Sequence, residues 1–220
     1  MIESIENIVQ CVVLFSCLAI ALYRGFGKDR TGGWTCLTFF FGSRLLGDIY
    51  WQMCLFYYGE TPEIALISDL SWYASILFLY LLIRMEISGR TASRDGDTPS
   101  DRALWRRAIP VLGPIFTFAM AVFYMQWGAY VSNVIYAALM GLVLYTSLRG
   151  LLEKNHTNRW ICMMACFFCL MEYGAWTASC FSDIDFFQYA YYGCDTLITI
   201  SCPFYIPIIS KEVIAVYDVH

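Results

Sequence analysis

Seven long apolar stretches separated by short polar breaks constrain this chain more than any other feature. They lie near Ile8 to Tyr23, Trp34 to Tyr57, Ile64 to Ile83, Ala108 to Gln126, Tyr130 to Leu148, Trp160 to Phe181 and Phe187 to Ile209. Each approaches the roughly 20 residues that a helix needs to cross the hydrocarbon of a bilayer. A water-soluble globule is excluded, because 59% of the 220 residues are hydrophobic and 15% charged, too few polar groups to coat its surface. In lipid every backbone N–H and C=O has to be satisfied inside the protein, so runs of this length become helices. The expected fold class is all-α: a polytopic membrane protein of seven transmembrane helices, multi-pass in the cell membrane, with the lipid bilayer as its first partner.

Direction follows from charge. The residues ahead of the first run hold Glu3 and Glu6 and no Lys or Arg, which is the wrong start for a secretion signal. Arg24, Lys28 and Arg30 follow that run instead, so it reads as a permanent span with its amino end outside. Lys and Arg near span ends are held on the cytoplasmic side. Of the 14 in this chain, Arg24, Lys28 and Arg30 fall in the first loop. Arg84, Arg90, Arg94, Arg102, Arg106 and Arg107 fall in the third, Arg149, Lys154 and Arg159 in the fifth, and Lys211 at the tail. Only Arg44 lies inside a span, and the opposite loops carry Glu60, Glu63, Asp183 and Asp185. The amino terminus is therefore expected outside and the carboxyl terminus in the cytoplasm.

The chain also resembles itself. A shift of 126 positions aligns Lys28 with Lys154, Thr31 with Thr157, Trp34 with Trp160, Cys36 with Cys162 and Phe41 with Phe167. The same shift pairs Cys54 with Cys180, Asp69 with Asp195, Ser75 with Ser201, Phe78 with Phe204, Ile83 with Ile209 and Glu86 with Glu212. Composition alone would give about four identities over such a length. A parallel three-plus-one-plus-three internal repeat is expected: residues 1–87 form helices 1 to 3, residues 88–107 a flexible cytoplasmic linker, residues 108–127 the inverting helix 4, and residues 128–220 helices 5 to 7 with a short cytoplasmic tail. The linker segment SGRTASRDGDTPSD is rich in Gly, Ser, Asp and Pro. Pro110, Pro114, Pro203 and Pro207 predict kinks in helices 4 and 7. Repeats of this kind place ligand sites near the midplane between the halves.

Ionisable side chains inside spans mark candidate function, since a charge at the bilayer centre costs roughly 2.5 to 3.5 kcal/mol even on the lenient insertion scale. Arg44, Asp48, Asp69, Glu172 and Asp195 are the ones this chain keeps. Arg44 and Asp48, four apart on helix 2, share a face and are expected to form an internal ion pair, either a self-neutralising one or part of a site. Asp69 and Asp195 occupy equivalent repeat positions, with Glu172 near mid-depth on helix 6. Three carboxylates about one axis, with Arg44 as the available cation, could take a proton, a cation or an amine. The competing reading has each acid serving a neighbouring polar group or sitting among headgroups.

Trp51, Trp72 and Trp176, with Tyr50, Tyr73 and Tyr173, lie near these acids and could wall a pocket or simply pack the core. Trp34, Trp105, Trp127 and Trp160 fall at span boundaries, where indoles favour the interface. Cys162, Cys166 and Cys169 share a stripe of helix 6 beside Met163 and Met164, soft ligands of the kind that hold copper(I), yet no span contains a His to complete a site. All ten cysteines lie in spans, so no extracellular disulfide framework is implied. His156 and His220 pair with no nucleophile, and there is neither a Gly-rich phosphate loop nor a nucleophile elbow. No enzyme, metal site or cofactor is expected, and a net charge of -4 argues against a nucleic-acid partner.

Gly47 to Trp51 (GDIYW), then Gly59, Glu60, Thr61 and Pro62, then Ser68, Asp69 and Leu70 leading into an apolar helix, resemble a known membrane region. It is similar to the seven-helix input region found ahead of diguanylate cyclase, phosphodiesterase and histidine kinase domains in bacterial signalling proteins. The likeness is best over helices 2 and 3. It implies a membrane sensor that passes a change in helix packing to a cytoplasmic output domain; nine residues follow Lys211, so a separate signalling partner is expected. The three-plus-one-plus-three pattern is also similar to microbial rhodopsins and to SWEET and PnuC carriers. Thr199 stands where a retinal lysine would be expected, and helices 1, 2, 5 and 6 lack the hinge prolines of SWEET carriers. A receptor or sensor module is the leading expectation, with a small-molecule or ion-coupled transporter and a structural subunit of a membrane complex as alternatives.

Overall fold

Each apolar run closes its own backbone hydrogen bonds as a helix, and the runs then bury their remaining polar faces against one another. The computed structural model describes residues 2–28, 31–59, 66–91, 104–152 and 159–217. The helices are α1 (Ile2–Leu22), α2 (Gly32–Tyr58), α3 (Leu66–Thr91), α4 (Leu104–Tyr124), α5 (Tyr130–Leu152), α6 (Arg159–Ser179) and α7 (Asp185–Tyr217), with no strand among the described residues. A π-helical turn, Tyr23–Lys28, extends α1, and a 3-10 turn, Met125–Trp127, ends α4. Six of the seven helices are long and apolar enough to cross a membrane, so the chain is a multi-pass membrane protein. The exception is α2: its 27 residues span about 40 Å, but Arg44, Asp48 and Gln52 lower its hydropathy.

The helix positions follow the apolar runs, while their ends run further. The linker expected over residues 88–107 is narrower than its polarity suggests, because α3 continues to Thr91 and α4 begins at Leu104. Polar residues tell where a chain leaves hydrocarbon, and helical hydrogen bonding can persist beyond that point. Residues 92–103 lie outside the described residues. Both α4 and α7 run through their prolines. Gly59 ends α2 with φ 74, its N–H returning to Leu55 at 3.1 Å, a left-handed cap that suits glycine. The tight reversal into α5 uses Gly128 and Ala129 at positive φ and is tied down by the Asn133 side chain, which donates to the Gly128 carbonyl at 2.9 Å.

Helices α1, α2, α3, α5, α6 and α7 form a closed ring in that order, with α7 packing back on α1, while α4 lies outside it against α5. Close α4–α5 contact depends on small residues: a Cβ on Gly113 would stand 2.8 Å from the Leu144 Cβ. The core inside the ring holds the fully buried Trp34, Phe40, Phe41, Phe168, Met140 and Tyr205. Phe40 and Phe168 meet edge to face with centroids 5.7 Å apart.

Trp34 therefore corrects the interfacial expectation: it is 0% exposed, whereas Trp160 is 64% exposed and Trp127 43%. Gly25 packs closely on the backbone side of Trp34, where a Cβ would stand 3.1 Å from the Trp34 Cβ. The same contrast breaks the expected register of α2 on α6, because the shift that pairs Trp34 with Trp160 pairs a core residue with a surface one. The buried faces instead coincide at a shift of 128, the separation of Arg44 and Glu172. Buried Trp34, Leu37, Phe40, Phe41, Arg44 and Leu45 then fall on buried Cys162, Ala165, Phe168, Cys169, Glu172 and Tyr173. At the shift of 126, Ser75, Ile76, Leu79 and Ile83 of α3 fall on Ser201, Cys202, Tyr205 and Ile209 of α7, all buried. At the same shift, buried Gln10, Leu14, Cys17 and Ala21 of α1 fall on buried Tyr136, Met140, Val143 and Ser147 of α5.

Candidate functional site: a charge cluster at the centre of the ring

A lone cation in a dry interior is tolerable only if anions reach it, and Arg44 is reached from two other helices. Its guanidinium is paired with the Glu172 carboxylate of α6 in a short contact, and its other terminal nitrogen stands 3.9 Å from Asp195 of α7. The Phe168 ring lies under it, 5.7 Å from the guanidinium carbon, adding a cation–π contact. Arg44, Asp48, Glu172 and Asp195 are all buried, with 6%, 6%, 9% and 9% exposure.

The expected private pair of Arg44 with Asp48 is replaced by this wider cluster. Arg44 turns to Glu172 and Asp195, which close a stronger enclosure across the ring than a neighbour on the same helix can. Asp48 remains within its electrostatic reach but takes its hydrogen bond from the Trp72 indole N–H at 3.0 Å. Gly47 makes that bond possible, since a Cβ there would stand 2.6 Å from the Trp72 indole nitrogen. The second Asp48 oxygen, Oδ2, is buried with no hydrogen-bond partner among the described residues, as is the Arg44 Nε. Trp51 leans on Trp72 with ring centroids 5.8 Å apart.

Asp195 accepts a hydrogen bond from the Gln10 side-chain amide of α1 at 3.2 Å, and its backbone carbonyl accepts one from the Thr199 hydroxyl at 3.0 Å. On the opposite side, Glu172 borders a cavity of about 10 Å³, the room of one water molecule. Tyr124, Asn133, Tyr136, Tyr173 and Trp176 line it. Trp176 packs against Tyr136 at 5.0 Å and Tyr124 at 6.0 Å, so it walls this side of the site. All six ring helices thus contribute: Gln10, Arg44 with Asp48, Trp72, Tyr136, Glu172 and Asp195.

Asp69 is the expected member that stays outside. It is half-buried in the first turn of α3, within electrostatic reach of Tyr73 and Tyr136, and makes no ion pair with Arg44. Its position near the helix start leaves it short of the ring centre, so the expected set of three carboxylates reduces to Glu172 and Asp195, joined by Asp48. Gln10, Tyr136 and Phe168 are members that charge-based reading passes over. Gln10 alone left a trace in the sequence, as a polar residue within the first apolar run. Of the cysteine stripe on α6, Cys162 and Cys169 are fully buried in the core and Cys166 is partly so.

The cluster sets one guanidinium among three carboxyl groups in a water-poor interior. Such an arrangement can accept added positive charge, as protons on the acids or as a bound cation. No known protein family, curated protein or solved structure matches the chain.

Proposed function

We propose that this protein is a membrane receptor in which a proton or small organic cation at the ring centre is sensed as a change in helix packing and passed to a separate signalling partner. The observation that carries this reading is the imbalance around Arg44: Glu172, Asp195 and Asp48 face one cation. Adding positive charge would weaken the hold of Glu172 or Asp195 on Arg44 and so loosen α6 or α7 from α2. A ring cross-linked at its centre transmits such a release along whole helices.

In this reading α2 is the seventh span, enclosed by α1 and α3, with its polar residues turned into the ring. The amino terminus lies outside and the carboxyl terminus in the cytoplasm of a cell-membrane protein. Supporting this direction, Arg24, Arg84, Arg106, Arg149 and Arg159 all fall at helix ends that alternate up-and-down packing brings to one side.

The carrier reading is favoured by one observation of its own. Exchanging α1, α2 and α3 for α5, α6 and α7 maps every neighbour in the ring onto another neighbour, as two halves related by an axis along the membrane normal require. Arg44 and Glu172 then occupy matching positions and meet at the axis.

Hydrogen exchange and liposome flux separate the two readings. A sensor, held in nanodiscs, should change amide exchange along α6 and α7 on lowering pH or adding methylamine. That response should be lost in Glu172→Gln and Asp195→Asn while helicity by circular dichroism is kept. A carrier should move protons or methylamine across proteoliposomes, with Asp195→Asn abolishing the flux. Absence of both responses in the wild-type protein would reject a central cation site.

A further inference from the structure

The outer face of the ring is uneven in a way that bears on how a ligand reaches the cluster. On one side α4 lies over α5, beside the small cavity under Glu172. Between α1 and α2 no helix intervenes among the described residues, and an open groove of about 380 Å³ runs along the surface, within the size range of small-molecule sites. Its walls are almost wholly apolar: Ile8, Val12 and Phe15 from α1 face Leu45, Ile49 and Met53 from α2. Three polar groups interrupt them, Cys11, Ser16 and Gln52.

Two features tie this groove to the charge cluster. Leu45, Asp48, Ile49 and Gln52 form one stripe of α2 at helical spacing, so Asp48 lies on the helix between groove-lining residues. Cys11, in the opposite wall, stands close enough to Asp48 to feel its charge. Along this stripe two buried acceptors lack a donor among the described residues: Oδ2 of Asp48, a residue 94% buried by its 6% exposure, and Oε1 of Gln52. Buried acceptors without partners are destabilising, and what satisfies both is a group with several N–H donors and positive charge. An apolar trough with Gln52 in its wall, and Asp48 buried one turn away on the same stripe of α2, fits a molecule with an alkyl chain and a cationic head.

We propose that the α1–α2 groove is a lateral binding site for a long-chain primary amine, its ammonium held by Asp48 and Gln52 and its chain laid along Ile8, Val12, Phe15 and Met53. This deepens the central-cation reading by naming the ligand class and its route from the bilayer, and rests on that reading only in making the ammonium the added charge.

The test uses the full chain in lipid nanodiscs and tritiated dodecylamine, counted above the amount retained by empty nanodiscs. Saturable retention is expected, resistant to excess dodecanol and much tighter than that of methylamine, which has the head but lacks the chain. Asp48→Asn should weaken it by about tenfold or more, the value of one hydrogen bond to a charged group. Val12→Trp, which fills the groove from the lipid side, should abolish it. Should Asp48→Asn fail to fold, Gln52→Leu and Val12→Trp carry the same comparison. Displacement by dodecanol, or unchanged affinity in the groove variants, overturns the proposal. An affinity for methylamine equal to that for dodecylamine also overturns the groove while leaving the central-cation reading intact. Conversely, retention that depends on Asp48 in a protein showing neither the pH response nor the flux described above keeps the groove and rejects that reading.

Discussion

Removing the cation at the ring centre should be far more damaging than removing the whole ion pair. In Arg44→Met the chain length and much of the packing against Phe168 are kept, but Glu172 and Asp195 are left facing each other in the core with no positive partner. A charge pair at the 3.9 Å separation of Arg44 from Asp195 is worth about 4 kcal/mol at an effective dielectric near 20. Breaking a buried pair from one side costs about 3–5 kcal/mol in measured cases, because the surviving charge is uncompensated. For a chain of this size that corresponds to a fall in melting temperature of roughly 10 °C. The double variant Arg44→Met, Glu172→Met removes one charge of each sign and should recover about half of that loss or more, since apolar replacement of a buried pair is often neutral. Thermal unfolding of the wild type, Arg44→Met, Glu172→Met and the double variant in the same detergent, followed by loss of helicity, completes the cycle. A single variant as stable as the wild type, or a double variant no better than the single, would refute the assignment of Arg44 as the electrostatic centre.

Two further perturbations probe the structure around it. Trp72→Phe removes the only donor to Asp48 seen among the described residues, and should cost about 1–3 kcal/mol, with Gly47→Ala producing a similar loss by displacing the indole; equal stability of all three proteins by thermal unfolding would contradict the Trp72–Asp48 bond. Trp34→Ala should open a cavity costing about 3–5 kcal/mol, whereas Trp160→Ala, on the surface, should stay within about 1 kcal/mol; comparable losses in a chemical denaturation series would restore Trp34 to the interface.

Much was legible in the chain because bilayer solvation imposes a one-dimensional rule. Length and hydropathy located all seven helices, and the five intramembrane charges pointed to four of the residues that meet at the centre: Arg44, Asp48, Glu172 and Asp195. Asp69 was misplaced because sequence shows depth only coarsely and says nothing of distance to the ring axis. Asp195, its match at the shift of 126, lies three turns deep in α7, at a position that α1 and α2 enclose, whereas Asp69 starts α3.

The register of the second helix in each half was hidden for a related reason. Identities such as Trp34 with Trp160 record residue type, but burial is decided by which face a helix turns to its neighbours. A two-residue shift rotates an α-helix by more than half a turn, enough to exchange core and lipid faces. What the chain determined by itself is therefore that it is helical, that it lies in a membrane, and which charges it keeps there. Which helix meets which, which partner Arg44 takes, and that a groove opens beside Asp48 were decided only by tertiary packing, because those depend on how seven rotations are set against one another.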